Sequence, residues 1–380
     1  MRFFTPEILD NPYPLYEQWR AHHPIWQDEE TGAWILSRFD DVRHVLKHSS
    51  GFSSKAMGGG ETGPLPLLTD DAPRHTELRN IVNKAFTIRM LKEIEDEVAD
   101  IARSLVDGIP EGESVDVVEA LTIPLPVAVI SKMMGIPSER AQDFKRWSDA
   151  LTGTLAGASL AEREVEIGEM YAFFQSLIPE RRNQGGSDLV SAVVNASVDG
   201  KQLSDHDVVG FCMLLLIAGN ETTTNLLGNF LNVLADRPQS WQQLRTQPKL
   251  IEQGIEETLR FDGPVQFLRR TLTSPCTFHG KALEPGDVVH VIMGSANRDE
   301  SVYSNANQFD LGREKIQHHT FGFGIHFCIG APLARLEAKA AMQALTERFA
   351  GVGRGDGDNE RVASHLLRGF HHLSLRFEGN

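Results

Sequence analysis

The chain has 380 residues, 41% of them apolar and 23% charged, an ordinary globular composition able to bury a large core. Its 37 basic and 52 acidic side chains leave a formal charge of −15, which argues against general nucleic-acid binding, because that needs a basic face. Three cysteines far apart, Cys212, Cys276 and Cys328, make no disulfide framework and fit a reducing compartment.

The N-terminal text reaches Asn11-Pro-Tyr-Pro without an apolar leader, and the longest apolar run, residues 211–218, stops at Gly219. Neither approaches the roughly 20 apolar residues of a membrane span, so a cytoplasmic protein without a membrane segment is expected. Ala33–Ser37 reads as a strand. Asp40 stands where it would cap a short helix burying Val42, Val45 and Leu46 at i, i+3, i+4 spacing. Residues 51–70 carry many Gly and Pro and no periodicity, which predicts a long loop with Gly58-Gly-Gly60 as a flexible lid.

Helical periodicity dominates from 74 to 260. Its clearest element opens at Ser204-Asp-His-Asp207, a start like a capping box, and runs to Ala235 ahead of Pro238. A helix this long, and this apolar in its middle, must cross the core. Beyond residue 263 the text turns to Gly, Pro and β-branched residues. Glu284-Pro-Gly286 predicts a turn and Asp287–Ile292 a strand. A last helix follows Cys328, with Pro332 in its first turn and Gly351 as its stop, and His372–Phe377 alternates like an edge strand. No linker divides the text, so one mainly α domain over residues 1–380 with a smaller β region is expected.

The most informative stretch is Phe321-Gly-Phe-Gly-Ile-His-Phe-Cys-Ile-Gly330, a glycine-punctuated loop that ends at a helix start. Gly322, Gly324 and Gly330 permit backbone angles that other residues avoid. Cys328 then meets the unpaired N–H groups and the positive end of a helix, which favour a thiolate, among apolar neighbours that keep water away. From the residues alone, a structural cysteine, a zinc site with His318, His319 and His326, and a nucleophile all stay open. Zinc is disfavoured by the lack of any CxxC pair, and a nucleophile by the lack of an obvious base.

Three other groupings carry polar chemistry. Ala218-Gly-Asn-Glu-Thr-Thr223 interrupts the apolar helix, with Gly219 weakening it and Thr222 able to bond back to a carbonyl one turn earlier. This puts Glu221 and Thr222 side by side. Glu257 and Arg260 are spaced i, i+3 on a helix, and His75 and Arg79 i, i+4 on another.

The cysteine segment is similar to the haem-binding signature of the cytochrome P450 family: Phe, Gly two residues on, three more residues, Cys, any residue, Gly. The chain resembles the soluble bacterial branch of that family from end to end. The resemblance implies haem b held between a long distal helix and the helix after the Cys loop, with Cys328 as proximal iron ligand. It implies that Thr222 and Glu221 assist proton delivery during dioxygen activation. It assigns His75, Arg79, Arg270 and His326 to the haem propionates, Arg270 being chosen over Arg269 on the Arg-x-x-Thr pattern. Glu257 and Arg260 resemble a buried structural pair, with Arg298 as partner from the later segment.

The implied activity is monooxygenation of a small to medium lipophilic substrate with O2. A ferredoxin and its reductase would supply electrons to a monomer bound to neither membrane nor nucleic acid. A haem carrier without oxygenase activity is the other class, and the Glu221–Thr222 pair discriminates against it. The pocket is expected from residues 56–70, Leu214, Leu215, Ala218, Asn220 and Val265–Leu268, with Asn220 and Gln266 as polar anchors. Arg74, Lys84, Arg335 and Lys339 are expected to form a basic patch for the ferredoxin.

Overall fold

The structure is a computed structural model that describes residues 1–58, 65–155, 163–186, 188–198 and 200–380. Gly59 and Gly60, the middle of the expected lid, lie outside the described residues.

The elements that position the site are, in chain order, strands β1 (Ile25–Gln27) and β2 (Trp34–Leu36), helix α1 (Phe39–Lys47), strand β3 (Phe52–Ser53), helices α2 (Arg74–Ala85) and α3 (Ile88–Asp107), strand β4 (Ser114–Asp116) and helix α4 (Pro124–Met133). There follow the long helix α5 (Asp205–Ala235), helix α6 (Leu250–Phe261), strands β5 (Leu268–Leu272) and β6 (Val288–Val291), helix α7 (Ala331–Arg348), and strands β7 (Phe349–Arg354) and β8 (Ser374–Gly379). One sheet runs β1-β2-β6-β5-β3, with β6 parallel to β2, and a second runs β7-β8-β4.

Helix α5 spans 31 residues, hence about 46 Å at 1.5 Å per residue. Its N-terminus is held reciprocally: Ser204 Oγ accepts the Asp207 N–H at 3.1 Å and donates its own proton to the Asp207 carboxylate at 2.7 Å. Phe211, Leu216, Leu226, Leu227, Phe230 and Leu231 are buried nearly all round the helix. That follows from its neighbours, since α4, α6, α7 and the helices Ala141–Leu155 and Glu164–Gln184 pack around it. Helix α7 is clamped between α3 and α5.

The structure revises several local expectations. Helix α1 buries Val42, Val45 and Leu46, but Asp40 sits in its first turn rather than at its cap. The N–H of Phe39 is instead satisfied from across the molecule, by Asp299 Oδ2 at 2.8 Å. Residues 51–58 are not loop throughout: β3 joins the sheet through Phe52 opposite Leu272, and a 3₁₀ turn spans Lys55–Gly58. The last helix ends at Arg348, before Gly351, because the chain leaves it to pair with β8. Strand β8 is central rather than an edge, with β7 and β4 on either side.

Glu257 and Arg260 are fully buried and paired through two bonds of 2.7 and 2.8 Å. Their partner is Arg313, whose Nε lies 3.1 Å from Glu257. Arg298 instead donates to the Phe261 carbonyl and lies between the rings of Tyr13 and Phe261, at 3.3 and 3.7 Å. A guanidinium flattened between two aromatic faces gains cation–π attraction without needing the carboxylate.

Candidate active site

A cavity of about 230 Å³ lies between α5 and the loop that leads into α7. Leu214, Leu215 and Ala218 of α5 form one wall, Leu67 and Leu68 another, and Val265 and Leu268 a third. Phe86, Ile130, Phe211 and Met293 also line it, although nothing local in the sequence marks them. Distant segments meet here only because α5 crosses the core. The walls are largely apolar with a small number of polar groups among them, the usual composition of a small-molecule site.

Cys328 lines this cavity, with Phe321, Gly322, Ile329 and Gly330 beside it. Its N–H donates to the Phe321 carbonyl at 2.9 Å, which closes the loop. Gly322 and Gly324 have φ of 72° and 73°, where a side chain is strained, and at Gly324 a Cβ would also fall 2.8 Å from the Leu46 carbonyl oxygen. Gly330 differs: its φ is −79°, so no left-handed angle requires glycine there. Burial pushes the Cys328 thiol up, while the N–H groups of Gly330 and Ala331 and the guanidiniums of Arg79 and Arg335 oppose that push.

Four polar residues from three segments converge on the same cavity: His75 and Arg79 of α2, Arg270 of β5, and His326. The rings of His75 and His326 lie 4.2 Å apart. His75 is buried and neither ring nitrogen has a partner. Arg79 donates to the Phe327 carbonyl at 2.8 Å, and Arg270 to the Arg269 carbonyl at 2.8 Å, so each keeps further N–H groups. Burial lowers Arg270 to about 10, still a cation at neutral pH. His326 is driven down to about 3 by burial, with Arg270 and His75 adding to it, and stays neutral. Its Nε2 meets Ser54 Oγ at 2.9 Å.

On α5, Thr222 lines the cavity and its hydroxyl donates to the Ala218 carbonyl at 2.6 Å, the back-bond expected from the sequence. Gly219 and Thr223 line it as well, while Glu221 stands next to Thr222 and takes a 3.4 Å bond from Asn225. The two expected polar anchors face elsewhere. Asn220 is buried away from the cavity and donates to Ser148 Oγ at 2.9 Å. Gln266 is tied to the Gly263 carbonyl at 2.8 Å. The histidines imagined as zinc partners are dispersed, with His318 on Glu256 and His319 stacked on Phe39.

The family model for cytochrome P450 matches residues 126–352. The chain is 39% identical to the putative cytochrome P450 YjiB of Bacillus subtilis, over 89% of this chain and 87% of that one. The chain belongs to the cytochrome P450 family. It is also 35% identical to erythromycin C-12 hydroxylase of Saccharopolyspora erythraea, over 94% of this chain and 92% of that one. Among solved structures it resembles CYP109E1 from Bacillus megaterium in complex with testosterone, with 38% identity, a TM-score of 0.88 and coverage of 96% of this chain and 99% of that one.

As a cytochrome P450 the protein is a haem monooxygenase, using O2 and electrons from a redox partner on a lipophilic substrate. The residues present fit haem. Two guanidiniums, Arg79 and Arg270, match two propionate carboxylates, and His75 offers a buried ring without a partner. The thiol of Cys328 would offer the iron a sulfur ligand, and the upward push of burial would be no obstacle, since a coordinating thiol is deprotonated. The expected basic patch is largely neutralised: Arg74 pairs with Asp70 and Asp207, Arg335 with Glu256 and Lys339 with Glu252, while Lys84 donates to the Ser197 carbonyl. No helix among the described residues is long and apolar enough to cross a membrane.

Proposed function

We propose that residues 1–380 form a single catalytic domain in which Cys328 ligates the haem iron. In this reading His75, Arg79, Arg270 and His326 hold the two propionates, and Glu221 and Thr222 govern proton delivery. The observation that carries the reading is the position of Cys328, in the lining of a largely apolar cavity and beside two helix-start N–H groups. When bound, haem supplies the activation of O2 that inserts one oxygen atom into substrate.

The protein's own residues divide the rest of the task. Phe321 and Ile329 keep water from the sulfur. Arg79 and Arg270 neutralise the propionates, His75 donates a hydrogen bond from its ring N–H, and His326 does so by exchanging its Ser54 partner. Thr222 offers a hydroxyl that alternates between the Ala218 carbonyl and a water in the cavity, and Glu221 passes protons to that water from outside it.

The substrate is a small to medium lipophilic molecule, which the leucine-rich walls favour. The steroid named with the CYP109E1 structure and the macrolide named for the Saccharopolyspora relative are of the same chemical character. A ferredoxin and its reductase supply the electrons, on the face where Ile325 and Phe327 stand exposed beside Cys328. The enzyme works as a cytoplasmic monomer, free of membrane and nucleic acid.

The test is the absorption spectrum of the dithionite-reduced holoprotein under carbon monoxide. A Soret band at the red-shifted position of thiolate-ligated haem is expected. A band at the blue position of histidine- or thiol-ligated haem in freshly prepared protein would remove Cys328 as the working ligand.

A further inference from the structure

Leu67 is one of three non-glycine residues with positive φ among the described residues, at +71°. A leucine in the left-handed region is strained, so something must hold it there. It is also buried, and it forms part of the cavity wall facing α5.

The restraint is visible. The Leu67 N–H donates to Asp70 Oδ2 at 3.0 Å. The Leu65 carbonyl accepts from the N–H groups of Leu68 and Thr69 and from the Thr69 hydroxyl, closing the turn around it. The other oxygen of Asp70 accepts from Arg74 Nε at 3.0 Å, and Arg74 also reaches Asp207 in the first turn of α5. Pro66 presses on α5 at Gly210, where a Cβ would come within 2.9 Å of it. Asp70 itself does not line the cavity.

We propose that Asp70 is a positioning residue that sets which ligands the cavity accepts, by fixing Leu67 in its left-handed conformation. Without the carboxylate, the Leu67 N–H loses its acceptor and the backbone relaxes toward ordinary negative φ. The leucine side chain then leaves its place in the wall. The ion pair to Arg74 holds the carboxylate in place but is not the restraint itself. The proposal rests on the reading of this cavity as the haem and substrate chamber.

The probes are imidazole and 4-phenylimidazole, titrated against the haem-loaded protein and followed by the Soret shift. Imidazole is too small to pack against the wall, whereas the phenyl group must meet it. In Asp70→Ala the advantage of 4-phenylimidazole over imidazole is expected to shrink about fivefold, with imidazole affinity nearly unchanged. Asp70→Asn keeps an acceptor for the Leu67 N–H while losing the charge, and is expected to retain the advantage to within about twofold.

Amide exchange across residues 65–70 supplies a readout independent of any ligand: fast at Leu67 in the alanine variant, slow in the wild type and the asparagine variant. An alanine variant with the full phenyl preference would overturn the proposal. So would an asparagine variant that loses it equally, since the ion pair rather than the N–H bond would then be the restraint. If neither probe shifts the wild-type spectrum although Leu67 still exchanges slowly, the chamber reading falls and takes the selectivity claim with it.

Discussion

Thr222 holds its hydroxyl on the Ala218 carbonyl within the same helix, yet it borders the cavity, so two partners compete for one proton. Removal of that hydroxyl leaves the helix intact and the cavity slightly larger. Thr222→Ala is therefore expected to consume reductant at a comparable rate while forming less product and more peroxide, as measured by peroxide released per reduced cofactor oxidised. Unchanged coupling would take Thr222 out of proton delivery. At this scale the sequence was informative wherever a motif was local. The Thr222 back-bond and the turn glycines Gly322 and Gly324 were legible because both partners lie within one turn of chain. Asn220 and Gln266 were misread because a polar side chain on a buried helix or loop has several directions open to it. Only the positions of Ser148 and the Gly263 carbonyl determine which one is taken.

Helix α7 shows what an element does with a misfit residue. Glu337 is buried among apolar neighbours and its Oε2 has no partner, so desolvation raises its carboxyl well above the usual range. Burial disfavours the charged form of an acid in that position, so an uncharged side chain of the same shape can replace it. Glu337→Gln is expected to change stability by less than about 1 kcal/mol, whereas Glu337→Lys would force a charge into the buried face of α7 and strongly destabilise the fold. Thermal melting of the two variants checks this, and a large loss in the glutamine variant would mean that the carboxylate is charged and paired. The long helix and its cap could be read in advance because the signals for both are contained in residues 204–238. The end of α7 could not, since it depends on β8 arriving some 20 residues later to pair with residues 349–354.

Across the whole molecule, buried histidines make the fold sensitive to acid. His319 is lowered to about 4 by burial, with His318 and Arg43 adding to it, and neither ring nitrogen has a partner. His290, on β6, is lowered to about 4 by burial and by Arg269. A histidine whose folded value lies below its unfolded value of 6.5 binds protons more readily in the unfolded chain. The stability it protects is therefore complete above pH 6.5 and is lost as pH falls toward 4. Asp262 adds to this lower down. Burial pushes its carboxyl up, but Arg368, Arg361 and the Tyr13 hydroxyl outweigh that and hold it near 2, so its contribution fades only below the unfolded value of 3.8. Denaturation midpoints measured from pH 7 to 4 are expected to fall, and His319→Gln is expected to flatten that slope. An unaltered slope in the variant would mean that His319 does not titrate on unfolding in this window.

What the sequence by itself determined was the family, the cofactor, the cysteine loop and the crossing helix. Each is encoded in a short run whose spacing has a direct physical meaning: glycines where backbone angles demand them, a cysteine before a helix start, an apolar stretch too long to lie on a surface. What only the tertiary structure decided was which groups meet. Arg313 rather than Arg298 completes the buried acid–base cluster, Asp299 rather than Asp40 caps α1, and Asp70 restrains the wall at Leu67. The Arg313 and Asp299 contacts join residues 56 and 260 positions apart, and the consequence of the local Asp70 contact depends on α5 forming the opposite wall. Burial sets the energy of such pairs, and burial belongs to the packed molecule rather than to any segment of its chain.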